Sequence, residues 1–482
     1  MVAKHQQCGC TDAGISRRGM LQATSAGMLG AGMVSALPNL AAGRGPTAEK
    51  KSVIFIFPTG GISHQDSFDM KPYAPDSVRS EFQAIDTKTP GIQVCEHLPK
   101  LAQLSDKWSV VRSIATNSSS HGQACSMMLT GRLELPVGFK AGASTPFDWP
   151  SIPATITYAM RGQTALPPAM ILPQPSVNEA NSVRPGQYAG KLGEKWDAWH
   201  VDIAAQCPLG NGACPNCFRF DLPKPGEEPF SHAAESVFNT PFVKLPTGGP
   251  GRLGRRLDLL SSIESQRTDL DQINQVQKLD RSRRQAISLL ADPLTSRAFD
   301  VENADPKLHV RYGKNKFGLS LLMAKQLVES GVRFVQVNLG KNSSWDTHRR
   351  NFPNLKDNLF PYLDQSLSAL LSDLSESGLL ENTLVVLSGE FGRTQKINNN
   401  GGRDHWGPCN TALFAGGGVR GGTVVGASDN TASYPVLDKQ TPENIAATMF
   451  TTLGIPWDAQ WVDTDEQTHR IYHAQPIHGL YS

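Results

Sequence analysis

Long apolar runs are scarce in this chain of 482 residues. After the first forty positions no stretch of eighteen or more uncharged apolar residues occurs, which excludes a protein of many membrane spans. An excess of one charge is also missing. Lys+Arg number 46 against Asp+Glu 44, whereas a dedicated nucleic-acid binder carries a basic surplus or stripe. No G-x-G-x-x-G follows a strand-like run, so a nicotinamide oxidoreductase is remote, and Gly416-Gly417-Gly418 lacks the Lys and Ser of a phosphate loop and reads as a tight turn. No internal repeat is present. What is there is 39% hydrophobic and 19% charged, enough apolar residue for a core and too much for wholesale disorder. Gly 44 and Pro 33 make about 16% of the chain, above the usual ~12%, and imply long, shaped loops. The length accommodates two or three domains, or one large α/β domain with insertions.

The first residues read as an address. Ser16-Arg17-Arg18-Gly19-Met20-Leu21-Gln22 sets an arginine pair before a mildly apolar stretch, Met20 to Leu40, broken by Gly27, Gly30 and Gly32. That stretch is too short and too rich in small residues to span a bilayer stably. It resembles the twin-arginine export signal, S-R-R-x-F-L-K, with Met20 and Gln22 as departures. The competing reading is a chance Arg pair before a buried helix. Residues 1–42 are therefore expected to be a signal peptide handled by the twin-arginine export machinery, with small residues near Ala36 and Ala42 for cleavage. A single domain over 43–482, periplasmic or extracellular and without an integral membrane span, would remain. Lys4, Arg17 and Arg18 against Asp12 account for the formal charge of +2, so the remainder is neutral.

Of the 8 cysteines, Cys8 and Cys10 fall in this address. Cys207, Cys214 and Cys217 crowd together, with only His200 as a nearby fourth ligand for a zinc knuckle. A disulfide pinning a loop in an oxidising compartment is the stronger reading.

Ser52 to Phe57 and Trp108 to Ile114 are continuous β-branched and aromatic runs, as expected of strands buried on both faces of a parallel sheet. Gly122–Leu129, Phe317–Ser330, Leu355–Ser377 and Thr441–Leu453 read as helices. Val332–Leu339, Thr383–Leu387 and Thr411–Ala415 read as strands. The alternation in the second half is that of a doubly wound, mostly parallel α/β sheet. Residues 135–250, dense in Pro and Gly, are expected to be a large loop-rich insertion wrapped on the core, and 253–300 a helical segment.

Sites in such sheets form at the carboxyl ends of strands. Three polar clusters fall there, His64 with Asp66 and Asp69, Asp346 with His348, and Glu390 with Arg393; a fourth, Arg403-Asp404-His405, sits in the loop just before Thr411 at the same edge. Asp, Glu and His delivered from several strand ends are what a divalent metal needs. An Asp-x-His pair taken alone is more often a hydrogen-bonded surface couple. Arg393 is a candidate for bidentate oxyanion binding or a counter-ion to Glu390, and Asp404 for orienting His405 or capping a turn. Trp345 and Trp406 are placed to stack on a sugar or simply to pack.

The motifs G-G-I-S-H-Q-D-S-F-D-M-K-P, H-G…M-L-T-G-R, W-D-T-H, G-L-L-E-N-T-L-V-V, G-E-F-G-R-T, G-R-D-H-W and T-P-E-N-I-A-A-T together resemble a bacterial family of exported proteins, domain of unknown function family 1501. The resemblance covers about residues 52 to 456 and implies an alkaline phosphatase-like or sulfatase-like fold. The sulfatase nucleophile motif, counted back from Leu129-Thr130-Gly131-Arg132, places its first residue on His121 and its Pro and Arg on Gln123 and Cys125. Ordinary sulfatase chemistry is thereby disfavoured. His121 is left as ligand, acid/base or nucleophile, with Ser118, Ser119 and Ser120 as neighbouring hydroxyls. The clan's first metal carboxylate falls on Thr59 and Gly60, so His64 and Asp66 would have to replace it. Asp346 and His348 resemble its Asp and His pair, Glu390-Phe391-Gly392 replaces D-H-G, and His405 resembles its late histidine. The resemblance therefore implies a metal-dependent hydrolase-like protein for phosphate or sulfate esters, small or carried on polysaccharide. Its candidate metal ligands are His64, Asp66, Asp346, His348, Glu390 and His405, and its candidate catalytic residues His121, Arg393 and Asp404. One divalent metal, of unspecified identity, would take the place of two. The alternative is a non-catalytic, envelope-associated binding protein that keeps the fold.

Overall fold

Strand β1, Ser52–Pro58, lies near the middle of an eight-stranded sheet and is buried at every position. Its β-branched and aromatic residues alternate between two cores. Val53, Phe55 and Phe57 pack on one face, Ile54 and Ile56 on the other. Both faces must therefore be covered, which is the reason for the unbroken apolar run. The computed structural model describes residues 51–482 apart from 164–165, 179, 181, 202–203, 206–237, 240–296 and 341–343, with Ala204–Ala205 and Phe238–Asn239 described by backbone alone. The signal expected at 1–42, Cys207, Cys214 and Cys217, and 253–296 of the expected helical segment lie outside the described residues.

The other strands of the sheet are β2 (Trp108–Ile114), β3 (Ala169–Leu172), β4 (Trp199–His200), β5 (Phe334–Leu339), β6 (Thr383–Leu387), β7 (Asn410–Ala415) and β8 (Val424–Val425). Their order is β8-β2-β7-β6-β1-β5-β3-β4. Every neighbouring pair is parallel except those of β7, which runs antiparallel to β6 and β2. Helices α1 (His121–Thr130), α2 (Ile152–Ala159) and α5 (Pro442–Thr452) cover the Phe55 face. Helices α3 (Lys316–Glu329) and α4 (Phe360–Glu376) cover the Ile54 face. The sequence expectation of a doubly wound, mostly parallel α/β sheet is met. On α4, Leu363, Leu367, Leu370 and Leu374 recur at helical spacing and are buried, each contributing roughly 1.5–3 kcal/mol. The Asn315 side chain caps α3 by accepting from the Gly318 N–H, and a Thr441/Asn444 capping box starts α5.

One expectation changes. The first half of 135–250 is not a wrapping: α2, β3 and β4 lie within it and belong to the core layers. Of the prolines that suggested loop, Pro153 lies in the first turn of α2 and others flank the elements, while β3 pairs with β5 and β4 pairs with β3 in place of a local pattern.

Because β1, β2, β5 and β6 run the same way, their carboxyl ends meet at one edge. The loops after them carry His64, His121, Asp346 and Glu390. A hairpin of Gly392–Arg393 with His405–Trp406 delivers His405 to the same edge before β7 begins.

Candidate metal centre

The chain leaves β1 through Gly60 and Gly61, both at positive φ (112° and 84°). A Cβ at Gly61 would lie 2.7 Å from the Phe391 carbonyl oxygen, so only glycine lets the loops after β1 and β6 touch. That contact brings the Gly60 N–H onto both carboxylate oxygens of Glu390, at 2.9 and 3.1 Å. After β5, the Trp345 ring stacks on Phe317 and its indole N–H donates to the Leu339 carbonyl at 3.1 Å, which fixes the backbone of Asp346. Trp345 is wholly buried; of its two sequence readings, packing is the one realised. Trp406 is half-buried, donates to the Ser433 carbonyl and meets Tyr434 edge to face.

Asp346 is the hub. Its Oδ2 lies 2.9 Å from His121 Nε2, and its Oδ1 lies 3.0 Å from His405 Nε2 and 3.1 Å from His348 Nε2. His121, the first residue of α1, reaches Glu390 Oε1 with its other nitrogen at 2.8 Å. His348 Nδ1 meets Asp404 Oδ1 at 2.6 Å, and His405 Nδ1 meets the Ser119 carbonyl at 2.9 Å. His121, Asp346 and His405 form a group whose donor atoms all lie within 4.8 Å of one another, close enough to share a metal ion. Among the described residues it is the one such group of three or more.

The electrostatics follow from these contacts. Burial opposes ionisation of Asp346, but the Arg393 guanidinium and the three histidines hold its carboxyl far below the usual carboxylate range. Burial likewise opposes ionisation of Glu390, and His121 overrides it, so this fully buried carboxyl is also pulled down. Burial pulls His121 down, yet its two carboxylate partners lift it net above its ordinary value. Asp346 lifts His348, whereas burial lowers His405.

A cation fits this cluster on its own chemistry. His348 Nε2 and His405 Nε2 face each other at 2.8 Å while their Nδ1 atoms are engaged by acceptors. Two imidazoles so held present lone pairs to the same point, an arrangement stabilised by a cation there.

Four of the sequence candidates stand elsewhere or act differently. His64 is fully buried with Nε2 donating to the Ala432 carbonyl at 2.9 Å, and burial lowers its pKa, which keeps the ring neutral. Asp66 makes a buried two-point ion pair with Arg403, at 2.8 and 3.0 Å, and also accepts from Ser63 and Asn351. Neither is brought into the cluster. Arg393 does not face outward to receive an oxyanion. Its guanidinium donates to the Gly60, Gly61, Trp345 and Arg403 carbonyls and lies 2.5 Å from Asp346 Oδ1. It ties three loops together behind the cluster. Asp404 orients His348, not His405. Sequence reasoning missed the Ser119 carbonyl and the Gly60 N–H, which are backbone groups and leave no signal in residue type. Cys125 is a buried free thiol, its pKa pushed well up by burial.

The sequence model of a family described as "Protein of unknown function (DUF1501)" matches residues 50–481. No curated protein matches the chain. Among solved structures, the chain is similar to Ps i-CgsB in complex with k-i-k-neocarrahexaose, at 10% identity and TM-score 0.41, covering 84% of this chain and 72% of that one. It is similar to PsFucS1 sulfatase from Pseudoalteromonas sp., at 12% identity and TM-score 0.37, covering 84% and 68%. It is also similar to the phosphonate monoester hydrolase SpPMH from Silicibacter pomeroyi, at 12% identity and TM-score 0.32, covering 85% and 74%.

Proposed function

We propose that this chain, which belongs to the DUF1501 family, is an exported, metal-dependent hydrolase of phosphate or sulfate esters on an alkaline phosphatase-like fold. The observation that carries the reading is the meeting of His121, Asp346 and His405 at one sheet edge, delivered by three separate segments. Asp346, His348 and His405 would hold a divalent cation. When bound, it supplies Lewis acidity to an ester oxygen.

The remaining steps belong to the chain. Arg393 fixes Asp346 from behind, and Asp404 fixes His348. The first turn of α1 starts at His121 with no side chain capping it, and the N–H groups of a helix start suit the oxygens of a tetrahedral ester. Ser119 and Ser120 are exposed at the same mouth, where substrate would enter. Export rests on the arginine pair Arg17-Arg18, and places the protein in the periplasm or outside the cell.

A second reading, a non-catalytic binding protein, is favoured by one observation: the position of a helix-start nucleophile holds an imidazole clamped between two carboxylates. The test is His405→Ala. Turnover of an aryl phosphate or aryl sulfate should fall at least about 100-fold, as expected for loss of a metal ligand's contribution, with the urea unfolding midpoint nearly unchanged. Wild-type protein loaded with metal that turns over neither ester supports the binding reading instead.

A further inference from the structure

The three histidines of the cluster are held alike, and the third of them carries the point. His121 Nδ1 sits 2.8 Å from Glu390 Oε1, His348 Nδ1 2.6 Å from Asp404 Oδ1, and His405 Nδ1 2.9 Å from the Ser119 carbonyl. Ionised carboxylates and a carbonyl only accept, so each Nδ1 must be the donor. The other nitrogen of each ring, Nε2, is then the one free to give a lone pair. All three Nε2 atoms point at the carboxylate of Asp346, at 2.9, 3.1 and 3.0 Å.

We infer that His121, the residue at the start of α1, is the third imidazole ligand of a single-ion centre completed by His348, His405 and Asp346, and that Glu390 positions it. The inference rests on reading the cluster as a metal centre and decides what His121 does there: it binds the cation and does not attack substrate. An imidazole bound through Nε2 with its Nδ1–H on a carboxylate is the usual arrangement around such ions.

Two sets of distances meet on Asp346 and His405: His121, Asp346 and His405 offer donors within 4.8 Å of one another, and His348 Nε2 lies 3.1 Å from Asp346 Oδ1. Ligands at ~2.0–2.1 Å in tetrahedral geometry stand about 3.3 Å apart. His348 Nε2 and His405 Nε2 are 2.8 Å apart, so a shift of a few tenths of an ångström seats them. Three nitrogens and one carboxylate favour a borderline ion such as zinc over calcium or magnesium, which take shells of oxygen. Among the described residues no second group of ligands accompanies this one. Glu390 is engaged by the Gly60 N–H and His121, and Arg393 already lies on Asp346.

The test uses the full chain, stripped by chelation and reloaded with cobalt(II), whose paramagnetism shifts the N–H protons of bound imidazoles far downfield in the NMR spectrum. Three exchangeable shifted signals are expected, with one ion per chain by elemental analysis. His121→Ala should remove one signal. Glu390→Ala, acting through His121, should weaken zinc binding 10- to 100-fold. Because these variants could fail to fold, the wild-type count stands alone as a criterion. Two shifted signals in the wild type, or two ions per chain, overturn the assignment, as does a preference for calcium or magnesium when the stripped protein is offered equal concentrations with zinc. Three signals without ester turnover leave it standing and remove the hydrolase reading; turnover supported by calcium with no zinc uptake does the reverse.

Discussion

Asp66 and Asp346 are both carboxylates in the strand-end loops, and their neighbours give them opposite roles. Asp66 is enclosed by Arg403, Ser63 and Asn351. Burial opposes its ionisation, but Arg403 overrides it and holds the carboxyl below the usual carboxylate range. Asp66→Asn would leave the Arg403 charge buried without its partner. Unfolding in urea should show a loss of about 3–5 kcal/mol, with bound metal per folded chain unchanged. A variant of native stability that no longer binds metal would make Asp66 a ligand after all. The sequence motif around His64 and Asp66 offers the right residue types for a metal. Their partners, Ala432 and Arg403, stand 368 and 337 residues away, so only the folded chain reveals that both are engaged. Asp346 and His348 were legible because a strand pattern set them after a carboxyl end, and His405 because its polar cluster lies just before the next strand pattern. The role of Arg393 was not, since its partners are mostly backbone carbonyls of three different loops.

Strands β1, β5 and β6 were legible for a physical reason: a strand covered on both faces must be apolar throughout, and such runs are visible without any partner. Strands β3 and β4 are four and two residues long, amid prolines, and take their register from β5 and from each other. His200 ends β4, and burial pushes its pKa down to about 4 from 6.5. Between those values the unfolded chain binds a proton that the folded chain does not. The stability this ring contributes is therefore present above about pH 6.5 and is lost as pH falls, reaching roughly 3 kcal/mol near pH 4. His200→Gln should flatten that part of the stability profile measured by urea unfolding at pH 7 and pH 4.5. Equal slopes in wild type and variant would show that the ring is not held neutral.

At the scale of the molecule, Glu49–Ser482 forms one compact unit. No described helix is long and apolar enough to cross a membrane. The loops that matter gather at one edge because seven of the eight strands run the same way. That topology makes four polar segments into one cluster around Asp346. Their convergence is the basis for proposing metal-dependent ester hydrolysis. The most direct measurement is turnover of aryl phosphate and aryl sulfate esters by the purified chain after chelation and again after a single equivalent of divalent metal is restored. The account predicts no turnover of either ester when stripped and recovery of at least one on reloading. Equal turnover before and after chelation, or none with metal bound, would contradict it.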